Sequence, residues 1–348
     1  MKSNGIDLNK SSNNYMLYNF QKLALIKNVH SNYIICVCFL KDGRIVSSSN
    51  DKRILIFNKI TYKNDIKIKE KESINYININ KDGILIVCLQ GGTLFNLYEF
   101  KGKKYKKIQS IKSFSFFESI KRKFKNSYYY YSVKKFIELK NGNLAAILKG
   151  SNLIYFYKKE NDKKYSYLDK FFDNSKQIIS DICELNNKEY CIAAEIDEVI
   201  RFIDINKDTN SQSITGTIKI SRIAFSNTQL FLMNINDLFV LGNECIYLID
   251  IKKKSLIKNI KIKSGIICCG YKLSDNNILI GSLGNCIEQL KYDENNKELI
   301  TISIMKPKKT NELYQINSIS VFNNKLILSP YDNRIGKGSL AIHKFKNK

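Results

Sequence analysis

The chain has 348 residues, 44% of them apolar and 11% aromatic, with 57 Lys and Arg against 32 Asp and Glu and a formal net charge of +25. That much apolar material excludes a disordered chain, and two prolines with no Ser/Gly-rich linker favour one continuous body over two tethered ones. The cation excess suits an anionic partner, yet Lys, Asn, Ile and Tyr are abundant together while Arg stands only at 44, 53, 122, 201, 222 and 334, as an AT-rich coding sequence would produce.

The chain opens with MKSNGIDLNKSSNNY, which lacks the apolar core of a secretion signal, and no run of about 18 apolar residues occurs anywhere. Residues 1–17 are expected to be a flexible segment, and the protein to be cytoplasmic or nuclear and not transmembrane. The nine cysteines sit in apolar runs such as IICVCF and IICCG without a CxxC pair, and only His30 and His343 could assist them. They read as reduced core thiols, with no metal and no cofactor implied.

A segment at Phe20 to Lys27 precedes the first of two KDG tripeptides, at Lys41 to Gly43 and Lys81 to Gly83. Each is flanked by alternating apolar stretches, YIICVCFL and RIVSSS for the first, INYININ and ILIVCL for the second. That is strand, tight turn, strand, with Gly supplying the positive φ of a short hairpin. The pattern recurs at 133–158 with Asn141-Gly142 as its turn, and again at 179–204, 229–250, 264–291 and 314–345. Turns start near 41, 81, 140, 186, 236, 274 and 323, a spacing that leaves room for a fourth strand in each copy.

The third strands end on Phe57-Asn58, Tyr98-Glu99, Tyr157-Lys158, Ile203-Asp204, Ile249-Asp250, Leu290-Lys291 and His343-Lys344. A large residue followed by a polar one predicts bulk facing a neighbouring sheet and then a solvated end. The last copy stops after its third strand, so Phe20 to Lys27 is expected to supply the missing outer strand and remove two free sheet edges. Two successive β-sandwiches would not require this recurring three-strand unit.

With these copies the chain resembles the WD40-repeat family. The likeness is clearest in VHSNYIICVCFLKDGRIVSSSNDKRILIFN, where His30 matches a Gly-His, Asp42-Gly43 a hairpin turn, Ser47 to Asp51 the next turn, and Phe57-Asn58 stands in place of Trp-Asp. The chain has no Trp. The resemblance implies an all-β, seven-bladed propeller closed by the N-terminal strand, spanning 18–348 with a basic insertion at about 101–130. It also implies a bracing network limited to this blade, through His30, Ser47 and Asp51, with Phe57 unable to donate.

Enzymatic chemistry finds little support in the residues. A Ser or Cys nucleophile needs a base, and His30 is explained as a bracing residue while His343 lies on a terminal strand. YDNRIGKGS misses the phosphate loop GxxxxGK[ST] at both ends, with Tyr331 and Gly338 at the critical positions. Glu195, Asp197 and Glu198 fall in a turn, where solvated charge is the default. No small-molecule substrate is implied.

The segment 101–125, KGKKYKKIQSIKSFSFFESIKRKFK, widens the gap between copies two and three and reads as an outer strand plus an inserted loop or helix. If helical, it would align Phe116, Ile120 and Phe124 beside Lys121, Arg122, Lys123 and Lys125. That stripe suits either packing on a blade edge or docking on an anionic surface; the basic Phe-Arg-Arg-Gly motif of phosphoinositide-binding propellers is absent. In WD40-like propellers the narrower face, made by turns after the second and fourth strands, takes protein partners. Here it would carry Asn50, Lys52, Gln90, Asn152, Glu195, Asp197, Asn243, Glu244, Asn285, Tyr331 and Asp332. The resulting expectation is a non-catalytic scaffold or adaptor binding other proteins; the alternative is a propeller holding RNA or anionic lipid through its basic surface and the 101–125 insertion.

Overall fold

The computed structural model describes residues 20–90, 93–112, 132–161, 163–172, 178–186, 189–194, 198–206, 211–220, 228–273, 276–283, 286–305, 316–323, 326–332 and 338–345. Strand β1 (Phe20–Ile26) comes first. Blade 1 then holds β2 (Ile34–Phe39), β3 (Ile45–Ser49), β4 (Arg53–Phe57) and β5 (Asn64–Lys69). Blade 2 holds β6 (Ser73–Ile79), β7 (Leu85–Gln90), β8 (Thr93–Lys101) and β9 (Lys104–Lys112). Blade 3 is β10 (Val133–Glu138), β11 (Leu144–Leu148), β12 (Leu153–Lys159) and β13 (Tyr165–Phe172); blade 4 is β14 (Ile179–Glu184), β15 (Glu189–Ala194), β16 (Val199–Asn206) and β17 (Ser211–Lys219). Blade 5 follows with β18 (Gln229–Leu232), β19 (Asp237–Leu241), β20 (Cys245–Asp250) and β21 (Ser255–Lys261), and blade 6 with β22 (Ile267–Lys272), β23 (Asn277–Ser282), β24 (Cys286–Asp293) and β25 (Glu298–Met305). Blade 7 contributes β26 (Ser320–Phe322), β27 (Leu326–Asp332) and β28 (Gly338–Phe345).

The first six blades are antiparallel sheets in sequence order, and the seventh has the order β1-β28-β27-β26. Strand β1 lies beside β28 with Phe20 opposite Phe345 and Ile26 opposite Leu340, so the N-terminal strand does close the ring. The hairpins between first and second strands are as the glycines require. Gly43, Gly83 and Gly142 have φ of 85°, 80° and 85°, and each donates its N–H at 2.9 Å to the carbonyl three residues back. Within the 101–125 segment, β9 is the anticipated outer strand. Residues 1–17 and the Phe116, Ile120 and Phe124 stripe lie outside the described residues.

Apolar clusters between neighbouring blades build the core. Phe57 packs with Ile34, Leu328, Leu340 and Ile342 between blades 1 and 7. The matching third-strand residues occupy successive interfaces: Tyr98 between blades 1 and 2, Tyr157 between 2 and 3, Ile203 between 3 and 4, Ile249 between 4 and 5, and Leu290 between 5 and 6. Each fully buried side chain of this size contributes about 1.5–3 kcal/mol, which explains why bulk was kept at these positions while the letters changed.

The seam between the last blade and the first leaves no room for a side chain at Gly338. Its carbonyl accepts from the N–H groups of Val29 (2.9 Å) and His30 (3.3 Å), and its own N–H donates to Asn32 O at 3.2 Å. A Cβ there would lie 2.6 Å from Cγ1 of the buried Ile34 and 2.9 Å from the Asn32 carbonyl oxygen. Gly338→Ala is therefore expected to destabilise the protein by about 1–3 kcal/mol through overpacking, measured by urea unfolding, whereas a stability equal to the parent chain would show that the seam can relax.

Candidate functional site: the central channel and the turns around its mouth

The polar network of blade 1 forms where the crossing from β1 meets the second strand. The His30 imidazole is buried, with Nε2 2.8 Å from Ser47 Oγ and Nδ1 3.0 Å from Asp51 Oδ2. Asp51 also accepts the N–H groups of Ser31 and Arg53. Burial works to raise the Asp51 pKa, but the hydrogen bond and charge of His30 with those two amides bring it below its ordinary value. Phe57 lies below as apolar filling.

Blade 2 carries a second network that the sequence did not reveal. Glu70 precedes Ile74 by four residues, as His30 precedes Ile34, and the strand registers make Ile74 and Ile34 equivalent. The buried Glu70 carboxylate accepts from Asn96 Nδ2 at 2.9 Å and from the hydroxyl of Tyr98, and Ser110 Oγ donates to Asn96 Oδ1 at 2.6 Å. Tyr98 occupies the Phe57 position, so here the large residue does donate. Burial and the Glu70 carboxylate push the Tyr98 phenol well above its ordinary range.

Innermost strands β2, β6, β10, β14, β18, β22 and β26 line a central cavity of about 770 Å³. In blades 1, 2, 3, 4 and 6 the register between first and second strands slips at one residue: Ile35, Asn75, Lys134, Ser180 and Cys268 respectively. A bulge re-aims the side chain of the extra residue, and all five line the cavity. Thr228 and Asn317 hold the same position in blades 5 and 7 by register and also line it. One residue from every blade thus forms a ring near the start of the inner strands. Ser180 spends its hydroxyl on Ala193 O at 2.9 Å.

Turns after second strands and crossings after fourth strands leave each antiparallel sheet at the same end, and backbone bonds join them. Lys149 N–H meets Ser132 O at 2.8 Å, Ile262 N–H meets Glu244 O at 3.1 Å, and Glu70 N–H meets the carbonyl of Lys52, a residue at φ 65°. Asn50 and Lys52 in blade 1, Gln90 in blade 2, Asn152 in blade 3 and Asn243 and Glu244 in blade 5 all lie on this face. Lys52, Gln90, Asn243 and Glu244 are exposed; Asn50 and Asn152 are half-buried. The backbone of Tyr331 and Asp332 ends β27 opposite Ser339 and Gly338. Glu195, Asp197, Asn285, Lys121, Arg122, Lys123 and Lys125 lie outside the described residues.

Against solved structures the whole ring is similar to known propellers. It matches the RRP9 WD40 repeats at 14% identity and a TM-score of 0.70, covering 94% of this chain and 100% of that one. It matches the WD40 β-propeller domain of Doa1 at 12% identity and 0.67, covering 95% and 99%, and a chain of the Mitotic Checkpoint Complex at 10% and 0.69, covering 95% and 94%. No family model and no curated protein matches the sequence. The fold is a WD40-like β-propeller.

In this propeller the seventh equivalent of Phe57 is His343. Its position is one that the other blades fill with Phe, Tyr, Ile or Leu, so the imidazole is 6% exposed and its Nδ1 lacks a hydrogen-bond partner. Burial pushes its pKa from 6.5 down to about 4, and Lys22 adds to the shift. The unfolded chain therefore binds this proton near pH 6.5 and the folded one only near pH 4. Stability should fall as pH falls through that window, by up to about 3 kcal/mol from this one group. Urea unfolding of the parent and His343→Phe at pH 7 and pH 4.5 should show a smaller loss in the variant; identical pH dependence would mean that His343 is solvated.

Proposed function

We propose that this propeller is a non-catalytic protein-interaction scaffold, and that partners bind across the face carrying Lys52, Gln90, Asn243 and Glu244. The observation that carries the reading is the bracing of those turns: exposed polar side chains stand on short turns whose backbones are tied to neighbouring crossings. Such residues lose little entropy when a partner orders them. The presence of a similarly folded chain in the Mitotic Checkpoint Complex supports the general use of the fold inside protein assemblies.

The reading as a non-enzyme rests on what the likely catalytic groups already do. His30 is held between Ser47 and Asp51, and His343 is packed in an interface. Burial raises the pKa of the thiols of Cys36, Cys38, Cys88, Cys191 and Cys269, which leaves them unreactive. Among the described residues no group of three or more His, Cys, Asp or Glu could hold a metal ion, and no helix is long and apolar enough to cross a membrane.

The test compares two faces of the full chain. One variant carries Lys52→Ala, Gln90→Ala, Asn243→Ala and Glu244→Ala; the other carries Lys63→Ala and Lys103→Ala on turns between third and fourth strands. Affinity purification from the native cell at moderate and high salt, with mass spectrometry, should recover the same proteins with the parent and the second variant and lose them with the first. Equal loss from both variants defeats the assigned face. Recovery of nucleic acid or lipid alone, falling steeply with salt, would replace the reading with the basic-surface alternative.

A further inference from the structure

The channel has a charge bias that packing does not demand. Four lysines line it, Lys134, Lys135, Lys149 and Lys272, and no Asp or Glu among the described residues does. Two of the four are neutralised or tied. Lys135 Nζ lies 2.8 Å from Oδ2 of the fully buried Asp181, which also accepts Leu230 N–H at 2.8 Å. Lys272, towards the opposite end, donates to the carbonyls of Leu232 and Met233 in the next blade at 2.5 and 2.9 Å. The positive potential is thus concentrated at the other two.

Those two sit together at the mouth on the turn face. Lys134 is the bulge residue of β10, and Lys149 follows β11, held beside it by its N–H bond to Ser132 O. The matching ring position of the adjoining blade is Asn75, whose Nδ2 is buried without a hydrogen-bond partner among the described residues. An amide donor left in this state is destabilising, so its persistence calls for an acceptor that arrives from outside. Glu72, on the crossing that leads to Asn75, does not line the cavity. Apolar walls weaken screening and focus the field of the two ammonium groups into the opening.

We propose that the channel mouth between blades 2 and 3 binds a phosphate group, held by the ammonium groups of Lys134 and Lys149 and the side-chain amide of Asn75. Lysine supplies compact charge with rotatable donors, which suits a tetrahedral anion approached from several sides. The phosphate enters from the turn face either as a free polyphosphate or on the side chain of a peptide. The site does not depend on the scaffold reading, because its donors are all within the channel and none belongs to the turn residues assigned to partners.

Calorimetric titration of the full chain with inorganic pyrophosphate is one arm of the test. Anisotropy with a short phosphoserine peptide and its unphosphorylated twin is the other. The parent should bind pyrophosphate, the phosphopeptide or both, and ignore the unphosphorylated peptide; pyrophosphate binding alone marks a free ligand, phosphopeptide binding alone a partner-borne one. Lys149→Gln and Asn75→Leu should each weaken binding about tenfold, the loss of one charge-assisted or buried hydrogen bond. The charge-matched control Lys63→Gln, on the opposite face, should change it less than about twofold. Lys149 is exposed, so its variant is expected to unfold as the parent does. Absence of binding in both arms, or equal weakening by Lys63→Gln and Lys149→Gln, overturns the proposal.

Discussion

Each four-stranded sheet in this molecule has two apolar faces, and it can bury them only against the sheets on either side. Strands β3, β7, β11 and β19 are buried along nearly their whole lengths, a pattern that suits a sheet covered on both sides. No hydrogen-bond ladder joins one blade to the next among the described strands, so side-chain packing holds the ring. Edge-to-face pairs such as Phe95 with Tyr157 (5.2 Å) and Phe239 with Tyr292 (4.8 Å) span or line these contacts. An open ring would leave two faces bare. Closure by β1 is the condition under which all seven interfaces exist.

Packing alone would leave the inner edges of the blades with unpaired backbone groups. Side chains from neighbouring blades meet them: Ser318 and Ser320 accept the N–H groups of Val37 and Phe39 at 3.2 Å, and Gln229 accepts that of Gly270 at 2.8 Å. The turn lysines act in the same way at the face opposite the partner turns. Lys41 donates to the carbonyl of Lys81, Lys81 to that of Leu139, and Lys140 to that of Leu185, each reaching one blade forward. Glu138 and Glu184 answer by accepting the backbone N–H groups of Lys81 and Lys140 at 2.8 and 2.7 Å. Part of the lysine surplus is therefore structural. A large positive charge in this chain is neither wholly compositional drift nor wholly a surface for anions.

The hairpins were legible because their chemistry is local. Asp-Gly and Asn-Gly announce a positive φ within three residues, and the large-then-polar ending of each third strand repeats at intervals a reader can count. Outer strands such as β21, SLIKNIK, were legible only as room left over, since a strand with one wet edge needs no distinctive residues. Glu70 was not legible. Its partners Asn96 and Tyr98 lie 26 and 28 residues away, and nothing about a Glu in a Lys-rich crossing announces that it stands where blade 1 has His30. The channel ring was hidden for a related reason: a bulge interrupts the alternation by which strand residues are assigned to a face, so its members look like errors in the pattern until the strands are paired.

The contrast between two sets of seven equivalent positions shows where function can be written. Those occupied by Phe57, Tyr98, Tyr157, Ile203, Ile249, Leu290 and His343 face another sheet, and six of the seven are large and apolar or aromatic. The seventh is tolerated only as a neutral imidazole. At the ring, where side chains face a solvent-filled opening, the same seven blades carry Ile, Asn, Lys, Ser, Thr, Cys and Asn. Freedom from packing alone would permit that variety, but it would not gather the cation and the unpaired amide on adjoining blades while Ile35 and Cys268 stand on others. The channel is thus polar on one flank and apolar on another, and a ligand entering it would be drawn off the axis toward blades 2 and 3. A fold with near-sevenfold geometry gains a direction through residues its packing does not constrain.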